Sequence, residues 1–398
     1  MNKKKFLIDS LLNIFSTTLP LLVLQLVSLP IVANQTGSDK FGVVITVISV
    51  ITVIGHPLGN VLNNIRLLKN DFYLQKGLVG DFNYLLIGSS IFSALLVILI
   101  SIFYINDLNI FNIILLVLIV VLSVLKEYLL VSYRITLNFK GILLNNLLLS
   151  IGYGLGTIFF FSLNYWEIIY LCGLLASIVY IILTTSLLSE PIKKTKQFKY
   201  TLIEFTILYG AGLLKNFLNY ADKIILLPIL GPKNVSIYYA ASIVGKIVSL
   251  AFGPINNVIL SYLVKIEEIN HKVFIKALSV ILTIGIAGYF LTIYISPFFL
   301  NFFYPLWAEE SLNLIYITSA TAIVAIFSSV FQPFNLRYNK MKWQIYMSIS
   351  NLIFFLLLTY LLTTKYGLIG FTTAVLFSSV FNFVFQLALY FTNYSKKK

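Results

Sequence analysis

Hydrophobic residues fill most of this chain in long runs, and short polar segments separate the runs. A helix needs about 20 mostly apolar residues to cross a bilayer, and the pattern contains about twelve such stretches. They are predicted near residues 10–33, 41–64, 84–105, 110–131, 141–163, 167–188, 203–229, 235–263, 275–297, 311–334, 342–363 and 367–391. The pattern therefore predicts an all-α polytopic membrane protein with about 12 transmembrane helices, whose short loops leave no room for a soluble catalytic domain.

Composition and charge agree with that prediction. Charged residues make up 11% of the chain, whereas they make up about a quarter of an ordinary soluble domain. With the N-terminus placed inside, the predicted cytoplasmic segments hold 21 of the 28 Lys and Arg residues, and the external segments hold only Lys40, Lys233 and Lys365. Because cytoplasmic loops are enriched in basic residues, we expect both termini in the cytoplasm.

The same distribution explains the net charge of +14. In a soluble protein that charge would indicate nucleic acid, but here the orientation of the spans accounts for it. We therefore expect a multi-pass protein of the cell (cytoplasmic) membrane, in contact with membrane lipids and not with nucleic acid.

Two short motifs recur at about half the chain length. Residues 29–32 resemble residues 227–230, and residues 57–62 resemble residues 254–259. The prolines of the two pairs are offset by 198 and 197 residues. Because six predicted spans separate the copies, both copies have the same orientation in the membrane. The repeat therefore predicts two six-helix lobes related by an axis along the membrane normal, which is the arrangement of parallel repeats in transporters.

The predicted domains follow from this repeat. The N-terminal lobe is predicted at residues 1–190 and the C-terminal lobe at residues 203–398. A basic cytoplasmic linker at residues 191–202 joins them, and we expect the lobes to rock about it.

Ionisable side chains interrupt the seventh and eighth predicted spans. Such groups are costly at membrane depth and usually face a bundle interior or a watery cavity. On a helical wheel of about 100° per residue, the polar residues share one side of each helix. They are Lys215, Asn219, Asp222 and Lys223 in span seven, and Lys246 and Asn257 in span eight. We predict that they line a cavity with a positive bias. The alternative is that Asp222 and Lys223 neutralise each other inside the bundle.

The N-terminal half contributes fewer ionisable groups within its spans. His56, Asn60, Asn63 and Asn64 lie within about one face of span two, and Lys126 and Glu127 lie late in span four. His56 either carries a proton at physiological pH or forms a hydrogen bond to a neighbour. Lys126 either lines the cavity or extends to the membrane interface. His56, Asn60 and Lys126 join the predicted substrate-binding residues, while the role of Glu127 stays open.

Several enzyme motifs are missing from the sequence. It contains no P-loop, no HExxH and no GxSxG, so we expect no enzyme activity and no cofactor. Two His and one Cys offer no zinc site, and a single Cys172 forms no intramolecular disulfide. Gly152, Gly154 and Gly156 lie in span five, where small residues predict close helix packing or a kink.

Three groups of residues resemble a known family. They match the signature of the seventh and eighth helices of bacterial polysaccharide-repeat flippases, the start of their last conserved helix and a pair after their first external loop. The residues are 219–226, 230–231, 238–241 and Lys246 in the first group, 366–374 in the second, and Phe41-Gly42 in the third. The chain departs from the family at Ile237, where a glycine is usual. The span count and doubled lobes extend the resemblance over the whole chain, within the multidrug/oligosaccharidyl-lipid/polysaccharide exporter superfamily.

This resemblance implies a substrate, partners and a mechanism. The substrate is an oligosaccharide on a polyprenyl diphosphate, moved to the outer leaflet during capsule, exopolysaccharide or O-antigen synthesis. The implied partners are a coupling ion (H+ or Na+), a polysaccharide polymerase and other assembly proteins. The implied mechanism is alternating access around the cationic cavity.

Two alternatives remain from other functional classes. A drug/cation antiporter of the same superfamily should carry acids in its cavity, whereas Asp222 and Glu127 are outnumbered here by four in-span lysines. A membrane-embedded glycosyltransferase or ligase would need acids at a membrane face or a large external loop. The chain offers only Glu309 and Glu310 as an external acid pair.

Overall fold

Helices account for nearly all of the described chain. The computed structural model describes residues 15–104, 109–250, 271–338 and 341–394, and no strand occurs in them. The longer helices are α1 (Phe15–Gln75), α2 (Asp81–Tyr104), α3 (Ile110–Leu129), α4 (Phe139–Leu163), α5 (Glu167–Thr184), α6 (Phe198–Leu230), α7 (Pro232–Leu250), α8 (His271–Phe303), α9 (Ile315–Tyr338) and α10 (Met341–Tyr394). The all-α class predicted from the sequence is confirmed for these residues.

Seven described helices are long and apolar enough to cross a membrane, or eight if the bent pair Pro305–Leu312 and Ile315–Ser329 is one span. Two of the seven, 61 and 47 residues long, contain a break at a glycine with positive φ. The breaks are at Gly37 (φ 78°) in α1 and at Gly367 (φ 56°) in α10. Gly37 falls in the predicted turn between spans one and two, and Gly367 is the first residue of the last predicted span. The count of twelve crossings is not confirmed, because α6 and α7, which carry the predicted polar stripes, are not among the apolar helices.

The chain forms two compact units with unexpected boundaries. Unit 1 comprises Met1–Val32 and Val43–Ile224, and unit 2 comprises Ala33–Gly42 and Ile225–Lys398. The chain therefore changes unit twice within α1 and once within α6. The lobes predicted at residues 1–190 and 203–398 do not coincide with these units and stay a prediction.

In unit 1, glycines allow α4 and α5 to approach closely. A Cβ added at Gly152 would lie 2.6 Å from the carbonyl oxygen of Cys172, and one at Gly156 would lie 2.6 Å from the Cα of Ile169. A Cβ at Gly154 would meet nothing within 4 Å. The close packing predicted from these small residues is therefore confirmed at Gly152 and Gly156, whose contacts are to backbone atoms.

Helix α6 packs antiparallel along the second part of α1, within unit 1. The Tyr73 and Thr201 hydroxyls are 2.9 Å apart near one end. Near the middle, a Cβ at Gly212 would lie 3.4 Å from Pro57. Near the other end, Thr46 Oγ1 donates to the carbonyl of Lys223 at 3.4 Å. Small and hydroxyl side chains thus hold α6 beside the second part of α1.

The predicted linker at residues 191–202 is fastened to unit 1. Asp81, which is fully buried, accepts hydrogen bonds from the backbone N–H of Thr195 at 2.6 Å and from its hydroxyl. Just before the linker, Glu190 forms a bidentate ion pair with the buried Arg66. The expected hinge is therefore held against α1 and α2 by charged hydrogen bonds.

Unit 2 contains a buried aromatic cluster built around Phe41. Its ring centroid lies 5.6 Å from that of Tyr239, 6.0 Å from that of Tyr304 and 5.8 Å from that of Trp307. All four side chains are buried. Aromatic pairs at such distances add to the free energy of burial, so the cluster anchors the start of the second predicted span in unit 2.

Polar contacts also hold the Ala33–Gly42 segment on unit 2. Ser236 Oγ donates to the carbonyl of Ser38 at 2.5 Å, and Asn34 Nδ2 donates to the carbonyl of Phe303 at 3.2 Å. Gly42 lies so close to the backbone of Pro232 that an added Cβ would overlap its carbonyl group. The segment is therefore fitted to unit 2 at three separate points.

Candidate functional site

Two predicted site residues meet at one carboxylate in unit 1. Glu127 Oε1 lies 3.0 Å from Lys126 Nζ and 3.6 Å from His56 Nδ1. The exposed fraction of the side chain is 44% for His56, 20% for Glu127 and 13% for Lys126. Lys126 is therefore paired and mostly buried, and His56 is the most accessible member of the group.

Two glycines of α1 make this meeting geometrically feasible. A Cβ at Gly59 would lie 2.6 Å from the Cβ of Glu127, and one at Gly55 would lie 3.1 Å from the side chain of Val120. Residues four apart share a face of a helix, so the two glycines form a groove for α3. Since His56 follows Gly55 directly, this close approach places its ring beside Glu127.

Amide side chains extend the site toward Arg134. Asn63 Nδ2 donates to the carbonyl of Glu127 at 2.7 Å. Arg134 donates to Asn63 Oδ1 and, at 2.8 Å, to Asn64 Oδ1. Asn64 in turn donates to Asn60 Oδ1 at 3.3 Å. We call these residues the α1–α3 polar cluster: His56, Asn60, Asn63, Asn64, Lys126, Glu127 and Arg134.

The α1–α3 polar cluster is positively biased. Lys126 and Arg134 carry fixed positive charges, and Glu127 is its one carboxylate. Protonation of His56 would add a further positive charge. Helix α3 and the short helix Val131–Ile135 hold these groups on one side of α1. An anion on that side would therefore meet several N–H hydrogen-bond donors.

Asp222 and Lys223 form an ion pair with each other. Lys223 Nζ lies 2.8 Å and 3.0 Å from the two carboxylate oxygens of Asp222. It also lies 5.7 Å from the ring centroid of Tyr220, and its side chain is only 5% exposed. A buried pair of this kind cancels its own charge, so the arrangement agrees with mutual neutralisation, the alternative left open by the sequence.

The structure does not bring the other predicted site residues together in one site. Lys215 and Asn219 are both exposed on α6, in unit 1. Lys246 is half-buried on α7, in unit 2. Asn257 lies outside the described residues. A shared site for Lys215, Lys223 and Lys246 stays a prediction.

Sequence reasoning did not assign site roles to Glu127, Arg134, Asn63 or Asn64. Glu127 was visible as the neighbour of Lys126, and the two asparagines lie one turn after Asn60. Arg134 was assigned only to the orientation of the spans. The three amide side chains at positions 60, 63 and 64 are the sequence signal for Arg134. Their carbonyl oxygens need hydrogen-bond donors, and Arg134 supplies a donor to two of them.

Residues that carry the family resemblance pack against one another in unit 2. The rings of Tyr238 and Phe371 meet edge to face with centroids 5.5 Å apart. Ile237, which replaces the usual glycine, is buried, and its carbonyl accepts a hydrogen bond from Ser311 Oγ at 3.1 Å. These stretches therefore have a packing role whatever else they do.

No protein-family model matches the sequence, and neither does any curated protein. Solved structures do match. The chain is similar to an inward-facing multidrug resistance MATE family transporter of the MOP superfamily, with a TM-score of 0.69 and 12% identity over 97% of this chain and 100% of that one.

Two further structures give the same picture. A variant of the Vibrio cholerae MATE transporter VcmN matches with a TM-score of 0.62 and 12% identity, over 99% of this chain and 96% of that one. A MOP superfamily transporter from Pyrococcus furiosus, described by its reversed binding-pocket polarity, matches at 0.60 and 12% identity, over 97% of this chain and 94% of that one. The chain therefore has the fold of the MATE transporters of the MOP superfamily.

Proposed function

We propose that this protein is a flippase for an anionic lipid-linked oligosaccharide. It moves a polyprenyl-diphosphate-linked repeat unit from the inner to the outer leaflet by alternating access, for capsule, exopolysaccharide or O-antigen synthesis. A polysaccharide polymerase and other assembly proteins would receive the product. The observation that carries the proposal is the positive bias of the α1–α3 polar cluster.

The chemistry of the substrate fits that bias. A diphosphate keeps its negative charge at neutral pH, and a membrane-embedded anion needs cationic or hydrogen-bonding partners. Arg134 offers a planar fork that suits phosphate oxygens, and Lys126 offers a compact point charge. The amides of Asn60 and Asn64 can bond sugar hydroxyls, and the polyprenyl chain can stay in lipid.

The sign of the charge in the binding site also distinguishes an anionic substrate from a cationic drug. A structure of this fold, the Pyrococcus furiosus transporter, is described as having a binding pocket of reversed polarity and a different function. Under the proposal, the positive bias of the α1–α3 polar cluster likewise favours an anion over the cationic drugs of an antiporter.

A drug/cation antiporter is the second candidate. It is favoured by the fold neighbour described as a multidrug resistance transporter and by Glu127, which is 20% exposed and would attract a cation. A coupling ion, H+ or Na+, belongs to both candidates. The two differ in the charge of the cargo, so a direct transport assay separates them.

The test uses the purified protein in liposomes that contain a fluorescent polyprenyl-diphosphate oligosaccharide. We expect the wild type to move the label between leaflets and Lys126→Ala to do so at least about tenfold more slowly, since a charged contact is worth about 1.5–3 kcal/mol. Lys126→Arg should regain part of the rate. Lys365→Ala, which removes an exposed lysine, is the matched control.

Two results would contradict the proposal. One is wild-type liposomes that accumulate a cationic dye and leave the lipid-linked sugar in place, which would support the antiporter. The other is a Lys126→Ala variant that flips the label at the wild-type rate with equal incorporation. That result would remove the α1–α3 polar cluster from the substrate path.

A further inference from the structure

A carboxyl group outside the α1–α3 polar cluster has a buried oxygen without a hydrogen-bond partner. Glu167 opens α5, and the residue is only 1% exposed. Its Oε2 atom is buried and has no hydrogen-bond partner. The other buried or half-buried carboxylates described in unit 1 have partners: Asp81 bonds Thr195, Glu127 bonds Lys126, Glu190 bonds Arg66, Glu204 bonds Lys69 and Asp222 bonds Lys223.

We infer that Glu167 is a proton-binding site of the transport cycle. The inference rests on the proposed function and deepens it, because it names the coupling ion and the residue that carries it. In the reaction, the Glu167 carboxylate takes up one proton from water to become a neutral carboxylic acid, and it later returns that proton to water.

The environment of Glu167 in this structure favours the neutral one of its two charge states. An ionised carboxylate without a cation or donors is strongly disfavoured in an apolar interior. Its neighbours on α5, Ile168 and Ile169, are apolar, and Phe160 near the end of α4 is fully buried. The carboxyl group therefore fits this packing as the neutral acid, and losing its proton requires water or a cation to reach it.

No charged side chain on the packed helices comes near enough to replace the proton. Helices α3 and α4 pack on α5, and the ring of Phe111 lies 5.0 Å from that of Tyr165, so α3 begins beside α5. Lys126 and Glu127 lie about 15 residues further along α3, roughly 22 Å away at 1.5 Å per residue. Lys140 lies at the far end of α4, and residues 15–32 of α1 contain no ionisable side chain.

The described titratable groups nearest in sequence or by ring contact are weak acids. They are the phenols of Tyr165, Tyr170 and Tyr153, of which Tyr153 and Tyr170 meet edge to face at 5.7 Å, and the thiol of Cys172. Phenols and thiols stay neutral near pH 7, so Glu167 is the group at this end of α5 that can change charge.

The position of Glu167 gives protonation a mechanical consequence. The first turn of α5 packs directly on the backbone of α4, since a Cβ at Gly156 would lie 2.9 Å from the carbonyl oxygen of Ile168. Because the ionised acid needs water, deprotonation favours separation of the first turn of α5 from α4. The predicted topology puts this end of α5 on the external side, where a proton moving opposite to the substrate would enter.

The first measurement reads the proton directly and needs no substrate. Infrared difference spectra of the purified full-length protein, recorded across a pH titration, should contain the carbonyl stretch of a protonated carboxylic acid. Glu167→Gln should lose that band while unfolding at the same temperature, because glutamine has the shape of the neutral acid. Glu309→Gln, at an exposed glutamate, should keep the band.

The second measurement uses the flipping assay with and without an inward proton gradient. We expect the gradient to accelerate the wild type and Glu309→Gln, whereas Glu167→Gln should flip at the gradient-free rate under both conditions. Full acceleration of Glu167→Gln would overturn the inference, as would an unchanged infrared band. Loss of the band on adding Na+ at constant pH would overturn it in favour of a metal ion.

The two proposals fail in different ways. If the wild type moves no lipid-linked sugar, the proposed function fails, and the infrared band alone then decides whether Glu167 holds a proton. If flipping is seen but the band does not depend on Glu167, the proposed function stands and the proton site is overturned.

Discussion

At the scale of single residues, two carboxylates of unit 1 have opposite surroundings. Glu127 has Lys126 and His56 at its oxygen atoms, and Glu167 has an oxygen with no partner. The first is stabilised as an anion by neighbouring cations, and the second fits its site as a neutral acid. The difference comes from the neighbouring helices, because both residues lie in equally apolar stretches of sequence.

Glu127→Gln should increase the affinity of the protein for pyrophosphate. Glu127 competes with any added anion for Lys126, and removing its charge frees that lysine. Relief of about 1 kcal/mol corresponds to about a fivefold lower Kd. Calorimetric titration with pyrophosphate measures the change, with Glu204→Gln as the control, since Glu204 pairs with Lys69 outside the cluster. Weaker or unchanged binding in Glu127→Gln would count against an anion site here.

Gly156→Ala should destabilise unit 1, whereas Gly154→Ala should not. The added methyl at position 156 meets the backbone of α5 at 2.6 Å, while the one at position 154 meets nothing within 4 Å. Overpacking of this kind costs about 1–3 kcal/mol, and alanine in an open helical position gains up to about 1 kcal/mol over glycine. Thermal unfolding in detergent measures both. Equal unfolding temperatures for the two variants would refute the close contact.

Residue identity predicted some members of the α1–α3 polar cluster and missed Arg134 for a physical reason. His56, Asn60 and Lys126 stand out because polar groups are rare inside apolar spans. Arg134 does not, because a basic residue near a helix end has a sufficient explanation in membrane orientation. Which of these groups meet depends on the close approach of two helices, and a pattern along one helix does not contain that information.

At the scale of elements, the linker at residues 191–202 is held by specific hydrogen bonds, just as the helices are held by specific packing. The sequence shows the linker only as a basic segment between two apolar runs. In the structure, Asp81 binds Thr195 and Tyr73, and Asn83 Nδ2 donates to the carbonyl of Glu190 at 2.8 Å. The helices themselves were predictable from apolar length, and the break at Gly37 falls in a predicted turn, whereas the break at Gly367 falls on the first residue of a predicted span.

Asp81→Asn should loosen the linker. The carboxylate accepts hydrogen bonds from the Thr195 backbone, the Thr195 hydroxyl and the Tyr73 hydroxyl, and an amide offers only one oxygen for all three. Since each buried group left unsatisfied costs about 1–3 kcal/mol, proteolysis within residues 191–202 should become faster. Asp71→Asn, at an exposed aspartate, is the control. Unchanged proteolysis would mean that the linker is held by other contacts.

At the scale of the whole molecule, the boundaries of the compact units differ from the sequence repeat. The repeat relates residues 29–32 to 227–230, whereas contacts assign Val43–Ile224 to one unit and Ile225–Lys398 to the other. The repeat is a similarity between two stretches of sequence, whereas the units are defined by which residues contact each other in the folded chain. Helix α6 contacts α1 at Thr201, Gly212 and Lys223, so the sequence symmetry could not reveal the boundary near the end of α6.

A chain that ends after Leu230 should therefore be much more stable than one that ends after Thr184. The longer fragment keeps α6, with its Tyr73–Thr201 and Gly212–Pro57 contacts, and the fastened linker. The shorter one exposes the face of α1 that α6 covers. Resistance to protease in detergent measures the difference. Equal resistance would show that α6 is not part of unit 1.

The assignment of the Ala33–Gly42 segment to unit 2 also has a consequence for biosynthesis. Phe41 leaves the ribosome early, but its partners Tyr239, Tyr304 and Trp307 follow about 200 to 270 residues later. At a synthesis rate of about 5–20 residues per second, the segment waits for at least about ten seconds without its native contacts. During that interval α1 can already pack on α3 through Gly55 and Gly59, while the Ala33–Gly42 segment still lacks its partners. Unit 2 can therefore close only after translation is well advanced, which makes its assembly, unlike that of unit 1, a late step in the life of the nascent chain.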